Sequence, residues 1–202
     1  MNENHAALCS SAEWATELQE DVVRPLTGGV DLGERMLEIG PGPGAATEWL
    51  RHRVRHLTAL EVDKGAAEEL SERLAEVEVL VGDATAMTFA DATFDSVGCF
   101  TMLHHVATAT EQNRVLTEAL RVLRPGGVLV GADSLASTEL HDFHIGDTYN
   151  PIEPATLVTR LETIGFERIT VSVEDRLTFI AYRPSDGDRS CASQPKKEEQ
   201  AR

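Results

Sequence analysis

The sequence is poor in cysteine and has no long hydrophobic run. Its three cysteines, Cys9, Cys99 and Cys191, are far apart and match no metal-ligand spacing, so we expect reduced thiols rather than a disulfide framework. No stretch approaches the roughly 18 consecutive apolar residues that span a bilayer. Because residues 1–5 lack the basic start and apolar core of a signal peptide, the sequence predicts a cytoplasmic protein that does not bind membranes.

Positive charge is also scarce. The chain has 18 Lys and Arg residues against 34 Asp and Glu residues, which gives a net charge of −16 and an isoelectric point near 4.8. Since affinity for nucleic acid depends largely on basic side chains, this balance argues against a DNA or RNA partner. Solubility alone is a sufficient explanation of the acidic surface.

The pattern along the 202 residues suits one α/β domain between two flanking segments. Residues 1–29 are interpreted as a helical lid segment, in which Ser10-Ser11-Ala12-Glu13 has the spacing of a capping box and Pro25 and Gly28-Gly29 end the helix. Residues 30–183 form the domain. Residues 184–202 are polar and are predicted to be a disordered tail.

Alternating strands and helices predict parallel βαβ units with helices on both faces. Only Glu174-Asp175 separates the last two strands, so these form a hairpin and the last strand runs antiparallel to the rest. The expected fold is an α/β, Rossmann-like, seven-stranded, mostly parallel sheet with an antiparallel last strand. Strands are expected at 35–39, 57–62, 77–81, 94–100, 128–133, 167–173 and 176–182, and helices at 44–53, 64–75, 111–123 and 154–164.

The first strand runs into a loop with glycine at every second position, Gly40-Pro41-Gly42-Pro43-Gly44, and the second strand ends near Glu61. Such glycines let a ligand approach the backbone, and the N-terminus of the following helix presents free N–H groups to it. A carboxylate at this spacing accepts hydrogen bonds from two ribose hydroxyls. The sequence therefore predicts a ligand that contains a nucleoside, although the loop alone also satisfies the G-x-G-x-x-G/A pattern of nicotinamide enzymes.

Three later motifs help to distinguish between the classes of enzyme that bind a nucleoside. Gly82-Asp83-Ala84 follows the third strand, Leu103-His104-His105 follows the fourth, and Leu123-Arg124-Pro125-Gly126-Gly127 leads into the fifth. Together with the glycine loop, Glu61 and the terminal hairpin, these motifs resemble those of class I S-adenosylmethionine-dependent methyltransferases, in particular the small-molecule group with a Leu-His-His turn. The resemblance covers residues 30–183, which would be the methyltransferase domain.

The resemblance implies that S-adenosyl-L-methionine is the cofactor. The loop glycines would line its methionine end, Glu38 would orient it, and Glu61 would hold the ribose hydroxyls. Asp83 and Ala84 would recognise the adenine. Carboxylates at strand ends also cap turns and helices, which is the alternative reading of Glu61 and Asp83. The implied cofactor-binding residues are Glu38, Gly40, Gly42, Gly44, Glu61, Asp83 and Ala84.

The candidate acceptor site lies at the carboxyl end of the fourth strand, where ligands of open α/β sheets bind. The resemblance places His104 and His105 opposite the transferred methyl group, as candidates for a catalytic base or an acceptor-orienting group. Alternatively, one histidine packs under the loop and the other is solvated. We expect the loop at 134–153 and the lid segment to cover the acceptor. The candidate substrate-binding residues are Trp14, Phe143, His144 and Tyr149, although Trp14 is equally compatible with a core position.

The segment His141-Asp142-Phe143-His144, with Asp147 close behind, carries several side chains that can bind metals. No third or fourth ligand follows at a convincing spacing. The sequence therefore predicts no metal site, and these residues are interpreted as walls of the acceptor pocket.

These observations predict methyl transfer to a small-molecule acceptor by in-line displacement, carried out by a monomer or homodimer. Enzymes that methylate exocyclic amines of bases carry an Asn/Asp-Pro-Pro-aromatic run after the fourth strand, whereas this chain has Cys99-Phe100-Thr101-Met102. One alternative is a catalytically silent regulator that binds S-adenosylmethionine. Another is an NAD(P)-dependent oxidoreductase, which would need a parallel sixth strand and a Tyr-x-x-x-Lys sequence that this chain lacks.

Overall fold

A computed structural model of the chain describes residues 7–187. The first six residues of the predicted lid segment and residues 188–202 of the predicted disordered tail, including Cys191, lie outside this range. Disorder of the tail therefore stays a prediction. Over the described part of the chain, no helix has both the length and the apolar character needed to cross a membrane.

The strands lie where the sequence pattern placed them, with bounds that agree within one residue except for β5. The strands are β1 (Arg35–Ile39), β2 (His56–Glu61), β3 (Glu78–Val81), β4 (Phe94–Phe100), β5 (Leu123–Asp133), β6 (Glu167–Val173) and β7 (Leu177–Tyr182). The helices are α1 (Ala12–Glu17), α2 (Arg24–Gly28), α3 (Ala45–Leu50), α4 (Lys64–Arg73), α5 (Ala109–Val122), α6 (Thr138–Phe143) and α7 (Pro154–Ile164). A π-helical segment (Leu18–Val23) joins α1 to α2, and a 3₁₀ turn (Leu103–His105) follows β4.

The seven strands form one sheet in the order β3-β2-β1-β4-β5-β7-β6. The first five strands pair in parallel, and β7 is antiparallel to both of its neighbours. The predicted hairpin and antiparallel last strand are thus confirmed. The strand order reverses between β1 and β4, and the crevice at the carboxyl ends of strands around such a reversal is where ligands of open α/β sheets bind.

Two hydrophobic cores lie on opposite faces of the sheet. In β1, Leu37 and Ile39 belong to the first core, while Met36, which directly precedes Leu37, belongs to the second, as the alternation of a strand requires. Helices α5 and α7 cover the first core. The N-terminal helical segment, α3 and α4 cover the second. Both faces are therefore covered by helices, which confirms the predicted fold.

The N-terminal helical segment ends at Gly28 with Gly29 as its C-cap, as predicted, but its N-terminal cap and the role of Pro25 differ from prediction. Its cap is Ser11, whose hydroxyl accepts a hydrogen bond from the Trp14 N–H at 3.2 Å. The capping box predicted at Ser10 is therefore wrong, because the third residue after Ser11 is Trp14 rather than a glutamate. Pro25 does not end the helical segment. It lies in the first turn of α2, directly after the π-helical segment, and proline is common in the first turn of a helix.

Two other boundaries differ from the sequence pattern. The predicted loop at 134–153 contains α6, whose N-cap Ser137 accepts a hydrogen bond from the Leu140 N–H at 3.1 Å. Strand β5 begins five residues early, because Leu123 already pairs with Phe94 before an irregularity in the register. The Arg-Pro-Gly-Gly sequence therefore lies inside the start of β5 rather than between helix and strand.

Candidate functional site

The glycine loop turns through three residues with positive φ angles, +63° at Gly40, +52° at Gly42 and +82° at Gly44. A Cβ on Gly44 would collide with the Leu70 Cδ1 in α4, so a side chain there would require Leu70 to shift in addition to the strain of the positive φ. A Cβ on Gly42 would meet nothing within 4 Å, so its backbone is open to a ligand. A Cβ on Gly40 would lie 2.9 Å from that of Met102, which places the loop beside the turn after β4.

Glu61 connects the end of β2 to the glycine loop. One carboxylate oxygen accepts a hydrogen bond from the Gly42 N–H at 3.0 Å, and the other accepts from the N–H groups of Val62 and Asp63 at 2.9 and 3.0 Å. These hydrogen bonds cap the backbone at the strand end, which is the alternative to ribose binding that the sequence left open for Glu61. It also fixes a buried carboxylate next to the open face of Gly42.

Asp83 and Ala84 follow β3, the strand that pairs with β2. The Asp83 side chain is exposed, and its Oδ1 accepts a hydrogen bond from the Thr85 N–H at 2.7 Å. Ala84 is half-buried and packs against the first core. A local turn thus orients Asp83 at the end of β3. This strand end lies next to the end of β2, where Glu61 is located.

Glu38 is the most strongly perturbed carboxyl group at these strand ends. It is 2% exposed, and its Oε2 has no hydrogen-bond partner among the described residues. Burial raises the pKa of Glu38 to about 7, with a further increase from the charge of Glu61, although the nearby Thr47 hydroxyl opposes the shift. A buried, unsatisfied carboxyl oxygen at this place is suited to a ligand that is cationic or donates a hydrogen bond.

The two histidines of the Leu-His-His turn have different surroundings. His104 is buried, and its Nδ1 lies 2.5 Å from the Oδ1 of Asp133, the last residue of β5. The Asp133 carboxylate also accepts hydrogen bonds from the backbone N–H groups of His104 and Ser134 at 3.2 and 2.8 Å. His105 is half-buried, and its ring centroid lies 4.1 Å from that of His104. Asp133 thus holds the imidazole of His104 in one orientation.

Aromatic side chains from the 134–153 segment pack beside these histidines. The His144 ring lies 5.2 Å from that of His104 and 5.4 Å from that of His105, measured between centroids. Tyr149 stacks on His144 at 4.5 Å, and Phe143 contacts His144 edge-on at 5.6 Å. The structure therefore brings three of the four predicted substrate-binding residues together with both predicted catalytic histidines.

Trp14 is placed elsewhere. It is half-buried and packs against the second core, on the face covered by α1 and α3. The core position, which the sequence left open for this residue, is the one observed. In the N-terminal segment, burial together with the charge of Asp147 raises the pKa of the Cys9 thiol to about 11.

Gln112 and Asn150, which the sequence pattern did not predict as site residues, bind the backbone of the Leu103–His105 turn. The Gln112 side chain is 1% exposed and donates hydrogen bonds to the carbonyls of Leu103 at 3.0 Å and Asn150 at 2.8 Å. The Asn150 N–H donates to the His104 carbonyl at 2.7 Å. These bonds join the turn, α5 and the 134–153 segment into one rigid unit.

A cavity of about 540 Å³ lies beside the glycine loop. The N-terminal segment lines it through residues that include Cys9 and Ala15. Helix α4 lines it through the face that carries Arg73. Gly42 and Gly44 line it, whereas Glu61, Asp83 and His104 do not. The cavity is therefore adjacent to the predicted ligand site and does not coincide with the histidine cluster.

Comparisons with known proteins agree with this geometry. The family model described as "Methyltransferase domain" matches residues 37–131. A demethylmenaquinone methyltransferase of Renibacterium salmoninarum is 34% identical over 101 residues, which cover 50% of this chain and 41% of that protein. A malonyl-[acyl-carrier protein] O-methyltransferase of Serratia marcescens is 32% identical over 145 residues, which cover 71% of this chain and 54% of that protein. The chain thus spans about half the length of these curated relatives.

A solved structure confirms the fold. The S-adenosylmethionine-dependent methyltransferase of Methanosarcina mazei is 20% identical and has a TM-score of 0.67, covering 80% of this chain and 98% of that one. At this level of identity, the likeness concerns the fold alone.

The residues of the site fit S-adenosylmethionine. The backbone of Gly42 is open to a ligand, the neighbouring Glu61 carboxylate is suited to ribose hydroxyls, and the unsatisfied oxygen of Glu38 is suited to a cationic group. The antiparallel β7 also departs from the parallel sixth strand that a nicotinamide enzyme would need. The domain match shows that residues 37–131 belong to the methyltransferase-domain family, and the relatives and the fold agree with a class I S-adenosylmethionine-dependent methyltransferase.

Proposed function

We propose that this protein methylates a small-molecule acceptor that carries an acidic hydroxyl, and that the Nε2 of His104 accepts the proton of that hydroxyl. The observation that carries the proposal is the 2.5 Å contact between the His104 Nδ1 and the buried Asp133 carboxylate, at the strand ends beside the glycine loop. A histidine anchored by a carboxylate through one nitrogen is a common arrangement for a general base that acts through the other.

The chemistry demands little of the protein beyond positioning and, for a hydroxyl acceptor, removal of a proton. When bound, S-adenosylmethionine supplies an electrophilic methyl group on a positively charged sulfur. The Nδ1–H of His104 donates to Asp133, which leaves the lone pair on Nε2 for the acceptor proton. The resulting imidazolium is stabilised by the buried carboxylate. Alignment of the acceptor with the methyl group can supply roughly 7–11 kcal/mol.

The surroundings of His104 favour an acceptor with an aromatic or quinone-like ring. Phe143, His144 and Tyr149 provide stacking faces near this histidine. One relative is named for demethylmenaquinone, an acceptor of this class. The net charge of −16 argues against nucleic acid as the acceptor.

Two measurements test the proposal. The purified protein is titrated with S-adenosylhomocysteine by calorimetry, with NADH as a control, and micromolar binding of the first alone is expected. A panel of phenols, quinols, amines and carboxylic acids is then assayed with S-adenosylmethionine for release of S-adenosylhomocysteine. Turnover of hydroxylated aromatic compounds supports the proposal. Binding without turnover across the panel favours the silent regulator, and turnover of amines alone excludes the proposed acceptor class.

A further inference from the structure

Three histidines converge at the end of β4. His104 and His105 come from the 3₁₀ turn, and His144 comes from the C-terminal end of α6, about forty residues later in the chain. One nitrogen of each ring can be chosen so that all three lie within 4.8 Å of one another. If the three rings moved slightly closer together, all three nitrogens could bind a single ion at bond lengths of about 2.0–2.1 Å.

The hydrogen bonds of two of these rings determine which nitrogen faces a ligand. The Nδ1 of His144 lies 2.6 Å from the Leu140 carbonyl, which can only accept, so the ring donates its Nδ1–H there. The Nδ1 of His104 likewise donates to the Asp133 carboxylate. Both rings therefore present Nε2 as a lone-pair donor. A carboxylate or backbone carbonyl that fixes the far nitrogen is the typical surrounding of a metal-binding histidine.

The cluster is also held in place and lies beside an unsatisfied polar group. Gln112 and Asn150 bind the carbonyls of the turn that carries His104 and His105. The hydroxyl oxygen of Tyr149, whose ring stacks on His144, is buried without a hydrogen-bond partner among residues 7–187. His105 is half-exposed, so an ion can reach the cluster from solvent.

We propose that His104, His105 and His144 bind a divalent transition-metal ion of the Zn²⁺ class. Neutral imidazoles favour Zn²⁺ and related ions, whereas Mg²⁺ and Ca²⁺ prefer oxygen ligands. The sequence predicted no metal site because residues 141–147 alone supply too few ligands. The structure brings two further histidines, from the turn after β4, next to His144. Metal sites with three protein ligands are typical of catalysis, because a fourth position stays open.

The use of the ion in turnover rests on the proposed function. The open position would take the hydroxyl oxygen of the acceptor, and the positive charge would lower the pKa of that hydroxyl. The proton would be released to water, and the oxygen would attack the methyl carbon as the bond from that carbon to the sulfur breaks and S-adenosylhomocysteine leaves. The lone pair on the His104 Nε2 thus has two alternative uses, because it would bind the ion in the metal-loaded protein and accept the acceptor proton in the metal-free protein.

The test measures binding of the metal without turnover. Tag-free full-length protein is stripped with a chelator and titrated with CoCl₂, whose visible spectrum reports tetrahedral coordination, and with ZnCl₂ by calorimetry. One ion per chain is expected. His105→Ala and His144→Ala should each weaken binding by more than about 100-fold, and Asp133→Asn by about 10- to 100-fold.

His141→Ala is the matched control. His141 is exposed, belongs to the same helix as the ring anchor Leu140 and contacts Tyr149, yet it is not part of the three-histidine group. This variant should retain the affinity of the parent protein. Binding that is absent, or that His141→Ala weakens as much as His144→Ala, overturns the proposal.

Binding of S-adenosylhomocysteine to the same stripped samples separates the two proposals and shows that each variant is folded. If the nucleoside binds and neither metal does, the metal site is excluded and the proposed methyl transfer stands. If the metal binds through the three histidines and the nucleoside does not bind, the metal site stands and the proposed function fails.

Discussion

The Asp133 carboxylate accepts two hydrogen bonds from His104, one from the ring Nδ1 at 2.5 Å and one from the backbone N–H at 3.2 Å. One side chain at the end of β5 therefore fixes both the position and the tautomer of a residue that follows β4. Because β4 and β5 are paired neighbours in the sheet, this relationship depends on the core of the fold rather than on a mobile loop. It makes Asp133 a positioning residue for His104.

Replacing this carboxylate should impair turnover without weakening cofactor binding. In Asp133→Asn, the amide can donate to Nδ1, which would transfer the imidazole proton to Nε2 and remove the base. We expect kcat to fall by about 100-fold or more, the usual contribution of a general base. The affinity for S-adenosylhomocysteine, measured by calorimetry, should change less than about threefold, since the Asp133 carboxylate hydrogen-bonds with His104 and Ser134 rather than with the glycine loop.

Asp91→Asn is the control for this prediction. Asp91 forms an exposed ion pair with Arg121, and the variant should keep the kcat of the parent protein. An Asp133→Asn enzyme with normal kcat would exclude a positioning role for Asp133.

Strand positions and the candidate cofactor residues were predicted from local sequence, whereas the partners of the histidines were not. Gly42 and Glu61 were singled out because glycine spacing and strand-end carboxylates are local signals, and their role in cofactor binding stays a prediction. Asp133 could have been found in the same way, because it is the last residue of a predicted strand. His144 could not, because its place beside His104 depends on how the 134–153 segment folds over the sheet. That folding involves α6, which the sequence pattern did not reveal.

The two carboxylates predicted to bind the cofactor, Glu61 and Asp83, should differ in their effect on stability. In Glu61→Ala, the N–H groups of Gly42, Val62 and Asp63 lose their acceptor, and we expect a loss of at least about 2 kcal/mol in the free energy of unfolding. Asp83→Ala removes one exposed turn bond and should cost less than about 1 kcal/mol.

Both variants should nevertheless weaken binding of S-adenosylhomocysteine by about tenfold or more, equivalent to about 1.4 kcal/mol. Urea denaturation and calorimetry on the same samples measure the two effects. If Asp83→Ala binds the nucleoside as tightly as the parent protein does, Asp83 only stabilises its turn and does not contact adenine.

Alanine substitutions in the glycine loop should separate folding from binding. Both Gly42 and Gly44 have positive φ, which costs an alanine about 1–2 kcal/mol. Gly44→Ala adds a collision with Leu70 and should lower the melting temperature strongly. Gly42→Ala adds no collision, so it should fold and still bind S-adenosylhomocysteine at least about tenfold more weakly. Equal affinity in Gly42→Ala and the parent protein would mean that the cofactor does not approach this face.

The buried carboxyl group of Glu38 should make the stability of the ligand-free protein depend on pH. Its pKa is about 7 in the folded protein and 4.5 in the unfolded chain, so the folded state holds the proton more tightly. Its stabilising contribution is therefore complete below about pH 4.5 and is lost as the pH rises through 7. Glu38→Gln keeps the shape without the charge, so at pH 8 the variant should be more stable than the parent by roughly 3 kcal/mol.

Urea denaturation at pH 5 and pH 8 measures this effect, with Glu72→Gln on the exposed surface of α4 as the control. The difference between Glu38→Gln and the parent should be small at pH 5 and large at pH 8, whereas the control should show no such change. S-adenosylmethionine carries positive charge, so it should favour the ionised form of Glu38 and release protons when it binds at pH 6. Calorimetry in buffers of different ionisation enthalpy detects that release, and its absence would mean that the cofactor does not interact with this carboxylate.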